Sequence, residues 1–154
     1  MKEDCISRNQ NGAAAVEFAI ILPLFLLIVF GIVEWSLYLF NDHIITDASR
    51  RGARRGIVQA SPRILEDEIS ATVLAYTGDN LVTFGTQTPP TVTVKNLSDP
   101  SMPSPIKCVT FNEDLEVTVS YNYGFAVFPK LIKVFGGNLA MVKPITARTV
   151  MKCE

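Results

Sequence analysis

The longest apolar stretch of the chain lies near its N-terminus. Between Phe18 and Val33, thirteen of sixteen residues are Leu, Ile, Val or Phe, and none is charged. Each such residue favours membrane insertion by roughly 0.3 to 0.6 kcal/mol, so the run gains on the order of 4 to 8 kcal/mol. A helix from Ala13 to Phe40 would be about 42 Å long, enough to cross a hydrocarbon core of about 30 Å. The pattern predicts a membrane-spanning helix, with a core helix of a soluble protein as the alternative.

Polar positions mark both ends of this run. Glu17 and Glu34 flank it, at depths where a carboxylate can stay near the lipid headgroups. Past Phe40 the pattern becomes amphipathic, which predicts that the helix continues beyond the membrane to about residue 60. The apolar or small residues of that extension fall near one face and are Ile44, Ile45, Ala48, Gly52 and Ala53.

The remaining sequence predicts a second helix and several strands. Ser61-Pro62 is a helix start signal, and the apolar positions after it predict a helix that closes at Gly78. Alternating patterns predict four strands, which are 91–95, 106–111, 115–123 and 145–153.

Two of these strands are predicted to form a hairpin. Residues 106–111 and 115–123 would pair across the turn at 112–114. Four residues of the second strand point to one face, namely Val117, Val119, Tyr121 and Tyr123. Residues 125–135 are apolar and predict a short helix or a packed turn. We expect an α+β fold, in which a long N-terminal transmembrane helix is followed by a small antiparallel-sheet head domain of three or four strands.

A motif marks the boundary between a short polar leader and the apolar run. Gly12 is followed by four small or apolar residues, then Glu17, then Phe18. This arrangement resembles the processing site of type IV prepilins and, more closely, of TadE-like pseudopilins of the tight-adherence (Flp) pilus system. The resemblance implies that a prepilin peptidase cuts between Gly12 and Ala13. A glycine there lets the backbone approach the protease without a Cβ in the way.

The resemblance also implies a role for Glu17 in assembly. After cleavage its carboxylate can pair with the freed α-amino group of a neighbouring subunit as the apolar helices pack. The alternative is that Glu17 merely marks the membrane interface of an ordinary anchor.

The same resemblance implies function, partners and location. We expect a minor pilin or pseudopilin of the bacterial inner membrane, whose partners are the prepilin peptidase, other pilin subunits and the pilus assembly platform. The expected domains are a leader (1–12), the transmembrane helix with its extension (13–60) and an extracytoplasmic head (61–154). Basic residues are more numerous after the apolar run than before it, and this count alone would place the head in the cytoplasm. The resemblance implies that the head lies in the periplasm or outside, and we adopt that orientation.

Four arginines follow the apolar run in an Ala-Ser-Arg-Arg-Gly-Ala-Arg-Arg-Gly stretch that also resembles the TadE family. They are Arg50, Arg51, Arg54 and Arg55. Three interpretations are open: contact with lipid headgroups, pairing with acidic groups of neighbouring subunits, or a solvated helix face. Gly52 and Gly56 have the spacing of a small-xxx-small motif but lie outside the apolar run, so we do not interpret them as a membrane dimer motif.

The remaining chemistry-bearing residues are few. Cys5 falls in the leader, whereas Cys108 and Cys153 fall in the exported head, where an oxidising compartment favours a disulfide over two free thiols. His43 and Asp47 are one turn apart, which fits a solvated polar face better than a metal site. We expect no catalytic residue, metal or cofactor, because no corresponding motif is present.

The net charge of the chain and two other functional classes remain to be considered. A net charge of −1 gives no electrostatic footprint for nucleic acid, so we expect no nucleic-acid partner. Two other classes remain open: an unprocessed, single-pass membrane-anchored binding or sensor domain, and a secreted protein released by signal peptidase.

Overall fold

The computed structural model describes residues 10–83, 88–134 and 136–154. These residues form an α+β fold with a long apolar N-terminal helix and a small antiparallel sheet, as the sequence predicted. The elements in chain order are α1 (Gln10–Ile57), α2 (Glu66–Asn80), β1 (Thr91–Asn96), β2 (Asp114–Gly124), α3 (Phe128–Val134) and β3 (Val142–Lys152).

The sheet in the described residues has three strands in the order β1-β2-β3, with both pairs antiparallel. Val119 in the central strand pairs with Val92 of β1 and with Ala147 of β3. The inward-facing residues of β2 are all buried, which confirms the predicted face, and they are Val117, Val119, Tyr121 and Tyr123.

This inward face packs against the second half of α1 and against α2. From α1 the core receives Ile45, Ala48 and Ala53, and from α2 it receives Ile69 and Val73. The predicted continuation of the helix past Phe40 is therefore confirmed, and this part of α1 forms part of the core of the head.

The predicted hairpin between residues 106–111 and β2 is wrong. Residues 106–113 form no strand, and the polar groups of Val109 and Thr110 bond to a side chain instead of a neighbouring strand. The Glu113 carboxylate accepts hydrogen bonds from the Val109 N–H at 2.9 Å and the Thr110 hydroxyl at 2.7 Å. Asn112 then turns the chain in the left-handed region at φ 69°.

The bounds of α2 also differ from the prediction. The helix begins at Glu66 rather than at Pro62, with three carboxylates in its first turn where the helix dipole favours negative charge. It passes through Gly78 to Asn80 instead of ending at the glycine. The short helix predicted within residues 125–135 is present as α3, and Phe135 lies outside the described residues.

The strands of the head run alongside the second half of α1. At one end the Glu154 N–H donates to the Ile57 carbonyl at 3.1 Å, so β3 finishes beside the last residue of the helix. At the other end the ring of Tyr123 lies 5.7 Å from the ring of Tyr38, measured between centroids. The end of the head formed by residues 124–142 therefore lies beside the middle of α1, next to the apolar run.

Candidate functional site

The first half of α1 exposes its apolar side chains on every side. Val16, Phe18 and Ile20 are 61%, 63% and 72% exposed. The mean hydropathy of the most apolar window of this helix is 2.8, and none of that window is buried. So large an apolar surface is unfavourable in water, and the single N-terminal apolar helix fits a single-pass membrane anchor.

The part of α1 that is available to lipid is shorter than the sequence suggested. From Ala13 to Val33 it measures about 31 Å at 1.5 Å per residue, which matches a hydrocarbon core of about 30 Å. The residues from Glu34 to Phe40 lie beside the head, where Leu37 and Tyr38 pack against its core.

The peptide bond between Gly12 and Ala13 lies within α1, near the N-terminal end of the part of this helix that the structure describes. A Cβ added at Gly12 would meet nothing within 4 Å. A side chain at this position therefore leaves the packing of the described chain unchanged, whereas an enzyme that must approach the backbone would encounter it.

Glu17 lies one helical turn after Ala13 and is exposed. Side chains of an α-helix lean towards its N-terminus, so the carboxylate is directed towards the predicted cut. No hydrogen bond or salt bridge to Glu17 forms within residues 12–83, 88–134 and 136–154. Its charge is thus available to a partner outside the described chain.

Glu34, unlike Glu17, is buried and hydrogen-bonded within the chain. The sequence did not predict this role. Glu34 is only 3% exposed, so its carboxylate faces the head rather than lipid or water. One carboxylate oxygen accepts hydrogen bonds from the backbone N–H groups of Ala126 and Val127 at 2.7 and 2.6 Å, and the other from Phe128 at 2.7 Å. This carboxylate holds the start of α3 against α1, and no sequence signal links residues so far apart in the chain.

Aromatic and amide groups extend this attachment along α1. Tyr123 packs edge-on against Phe125, with ring centroids 5.1 Å apart. Burial raises the pKa of the Tyr123 hydroxyl, and the negative charge of Glu34 raises it further. One turn beyond Tyr38, the Asn41 side chain donates to the Val82 carbonyl at 2.7 Å and accepts from the Val82 N–H at 3.0 Å. The head is therefore bonded to α1 from Glu34 onwards.

The four arginines lie along one groove between α1 and α2. Its volume is about 670 Å³, and its lining residues are Asp47, Arg50, Arg51, Arg54, Arg55, Val58 and Thr72. The Arg51 guanidinium lies 4.1 Å from the ring centroid of Tyr76, and Arg55 pairs with Glu68 at 3.4 Å.

The position of this groove bears on its interpretation. Arg50 is sixteen residues past Glu34, or about 24 Å along the helix axis. At that distance from the end of the apolar run, contact with lipid headgroups does not fit. Pairing with acidic groups of a neighbouring subunit and a solvated face remain as interpretations.

At the far end of the head, Cys108 and Cys153 form a disulfide with their Cα atoms 5.8 Å apart. It ties the irregular segment before β2 to the residue after β3, and the Asn112 N–H donates to the Cys153 carbonyl beside it. Closing a loop of 45 residues corresponds to about 4 kcal/mol in the chain-entropy model. Cys5 lies outside the described residues.

The other polar candidates do not converge on a site. His43 is exposed on α1, one turn from the exposed Asp47. Within the part of the chain that the structure describes, no three His, Cys, Asp or Glu side chains are grouped so that they could hold a metal ion.

The similarity of this chain to known proteins lies within α1. Residues 12–54 match the family model described as TadE-like protein. Over this segment the chain is TadE-like. The match begins at Gly12, includes Glu17 and Glu34, and ends among the arginines of the groove. It indicates involvement in assembly of the tight-adherence pilus, as the resemblance implied.

Residues 55–154 lie outside this match. No curated protein and no solved structure matches the chain.

Proposed function

We propose that this TadE-like chain is a minor pilin or pseudopilin that takes part in assembling tight-adherence (Flp) pili. A prepilin peptidase removes residues 1–12, and the mature chain crosses the inner membrane through residues 13–33. Its head lies in the periplasm or outside, and its role is structural rather than enzymatic.

The observation that carries this proposal is the state of Glu17. The carboxylate is exposed at the edge of a fully exposed apolar helix and has no partner within the described residues. It stands one turn from the predicted cut, inside the segment that matches the family model. A carboxylate at this depth gains most from a cation that arrives as helices pack, and the α-amino group of a processed neighbour is such a cation.

The position of the arginines supports the proposed orientation. The positive-inside rule applies to basic residues in short loops close to a membrane segment, whereas folded domains cross largely regardless of their charge. The four arginines lie on a helix that is packed into the head, with Arg50 about 24 Å beyond Glu34. The disulfide between Cys108 and Cys153 fits an oxidising compartment.

The proposal is tested by replacing Glu17 in a bacterium that assembles this pilus. We expect Glu17→Ala protein to be processed and inserted normally, since the apolar run has several kcal/mol of insertion free energy to spare. Piliation, counted by electron microscopy, should be lost, and crosslinking to other pilins should be lost with it. Asp79→Ala is the matched control, because Asp79 is also an exposed helical carboxylate but lies on α2 within the head and outside the arginine groove, and it should leave piliation intact.

Full piliation by Glu17→Ala would reduce this residue to a marker of the membrane interface. An unprocessed membrane-anchored binding or sensor domain would then account better for the chain.

A further inference from the structure

The end of the head that lies next to the apolar run has an unusual surface. Residues 125–144 contain three lysines and no acidic residue, in a chain whose net charge is −1. All three lysines are exposed, and they are Lys130, Lys133 and Lys143. Large apolar side chains are exposed among them, with Val134 at 78% and Met141 at 50%. We call this surface, residues 125–134 and 136–143, the membrane-proximal face.

Contacts with α1 fix the height of this face. The Glu34 carboxylate holds the first residue of α3, and a Cβ added at Gly31 would lie 2.9 Å from the Phe128 ring. α3 therefore starts beside the last turn of the segment whose length matches the hydrocarbon core. Since α1 crosses the bilayer up to about Val33, the membrane-proximal face lies at the level of the headgroups.

A groove in the same face combines an apolar lining with one cation. Its volume is about 240 Å³, and its lining residues are Trp35, Phe125, Phe128, Pro129, Leu139, Ala140 and Lys143. The Lys143 ammonium group lies 5.1 Å from the ring centroid of Trp35 and 4.8 Å from that of Tyr38. Apolar surface beside a lysine suits a lipid, whose acyl chains and phosphate are adjacent in the same way.

We propose that the membrane-proximal face binds anionic phospholipids of the bilayer surface. The exposed apolar side chains of α3 and of the segment after it enter the interface, and the three lysines contact lipid phosphates. The face is continuous with the lipid-exposed surface of α1, so the same bilayer covers both. The head is then held against the membrane, whether or not the leader is removed.

The test uses tryptophan fluorescence of the full chain in vesicles. Trp35 is the single tryptophan, so a Trp35→Phe background allows a new one to be placed at will. Val134→Trp probes the membrane-proximal face. Phe111→Trp is the matched control, because Phe111 is 80% exposed but lies beside the disulfide at the far end of the head.

Brominated phosphatidylcholine quenches a tryptophan that touches the lipid. In vesicles that also contain phosphatidylglycerol, we expect strong loss of fluorescence for Val134→Trp and none for Phe111→Trp. The loss should diminish when phosphatidylglycerol is omitted, when salt is raised, or when Lys130→Gln and Lys133→Gln are introduced. Neutralising Lys95 and Lys107, which lie outside this face, should have no such effect.

Any of three results would overturn the proposal. One is equal quenching of the Val134→Trp and Phe111→Trp proteins, which would mean that the face does not touch lipid. Another is quenching of the Val134→Trp protein that does not depend on phosphatidylglycerol or on salt. It would show that the lysines do not contact lipid phosphates. If the Val134→Trp emission changed only with protein density in the vesicle, a second copy rather than lipid would cover the face.

Discussion

At the scale of single residues, two glutamates at the ends of one apolar run have opposite surroundings. The hydrophobic pattern places Glu17 and Glu34 alike, because each is a carboxylate beside a hydrophobic segment, and only the family resemblance gives Glu17 a separate role. The structure leaves Glu17 exposed and buries Glu34 under three backbone N–H donors from residues 126–128. That contact depends on the chain returning to α1 more than ninety residues later, which no local pattern reports.

Glu113 carries a prediction at the same scale. Partial burial by itself raises the pKa of this carboxyl, but hydrogen bonds from Val109, Thr110 and Asn96 lower it to about 2. A carboxyl whose pKa is lower in the folded state than in the unfolded chain stabilises the fold above the unfolded value, and this contribution disappears as pH falls towards the folded value. For Glu113 the window runs from about pH 4.3 down to about pH 2.

We therefore expect Glu113→Gln to destabilise the head at neutral pH, and the difference from wild type to shrink as pH falls through this window. Thermal unfolding of both proteins in detergent at several pH values measures it. A difference that stays constant down to pH 2 would contradict the assignment.

At the scale of elements, periodic patterns predicted those helices and strands that are determined by their own hydrophobic positions. The membrane helix follows from its uninterrupted apolar run. Its extension, β1, β2 and the C-terminal strand follow from spacing, because one face of each is buried. The segment 106–111 alternates like a strand, yet Val109 and Phe111 are exposed. Its backbone is fixed by the Glu113 carboxylate and by the disulfide, which are tertiary contacts that periodicity does not contain.

Close packing between elements carries a second prediction. Gly52 on α1 lies so near α2 that an added Cβ would come within 2.6 Å of Val73 and 3.3 Å of Val117. Val73 is fully buried and its branched side chain has little freedom to rotate away. The spacing of Gly52 and Gly56 thus serves packing within the head.

Gly52→Ala should lower the free energy of unfolding by about 1–2 kcal/mol, since overpacking outweighs the gain in helix propensity. Gly78→Ala is the matched control, because Gly78 is also helical but has nothing within 4 Å, and it should raise stability by about 0.5–1 kcal/mol. Denaturant titration of the two variants checks the opposite signs. Equal effects would show that packing at Gly52 is not tight.

At the scale of the whole molecule, the chain divides along α1 rather than at a loop. The first part of the helix is exposed over about the thickness of a bilayer, and the second part forms the core of the head. The sequence predicted both parts, but it did not show that the boundary falls near Glu34. The family match covers α1 and stops before the sheet, so the chain's relation to pilus assembly rests on the helix.

The central claim is that this helix is a processed prepilin segment, and the intact mass of the membrane-bound protein tests it most directly. In cells that contain the prepilin peptidase, the wild-type chain should begin at Ala13, and Gly12→Val should leave a chain that begins at Met1. Gly78→Val is the control, because it places the same side chain at another open helical glycine and should leave processing unchanged. A wild-type chain that begins at Met1, or past Ser36, would contradict the account.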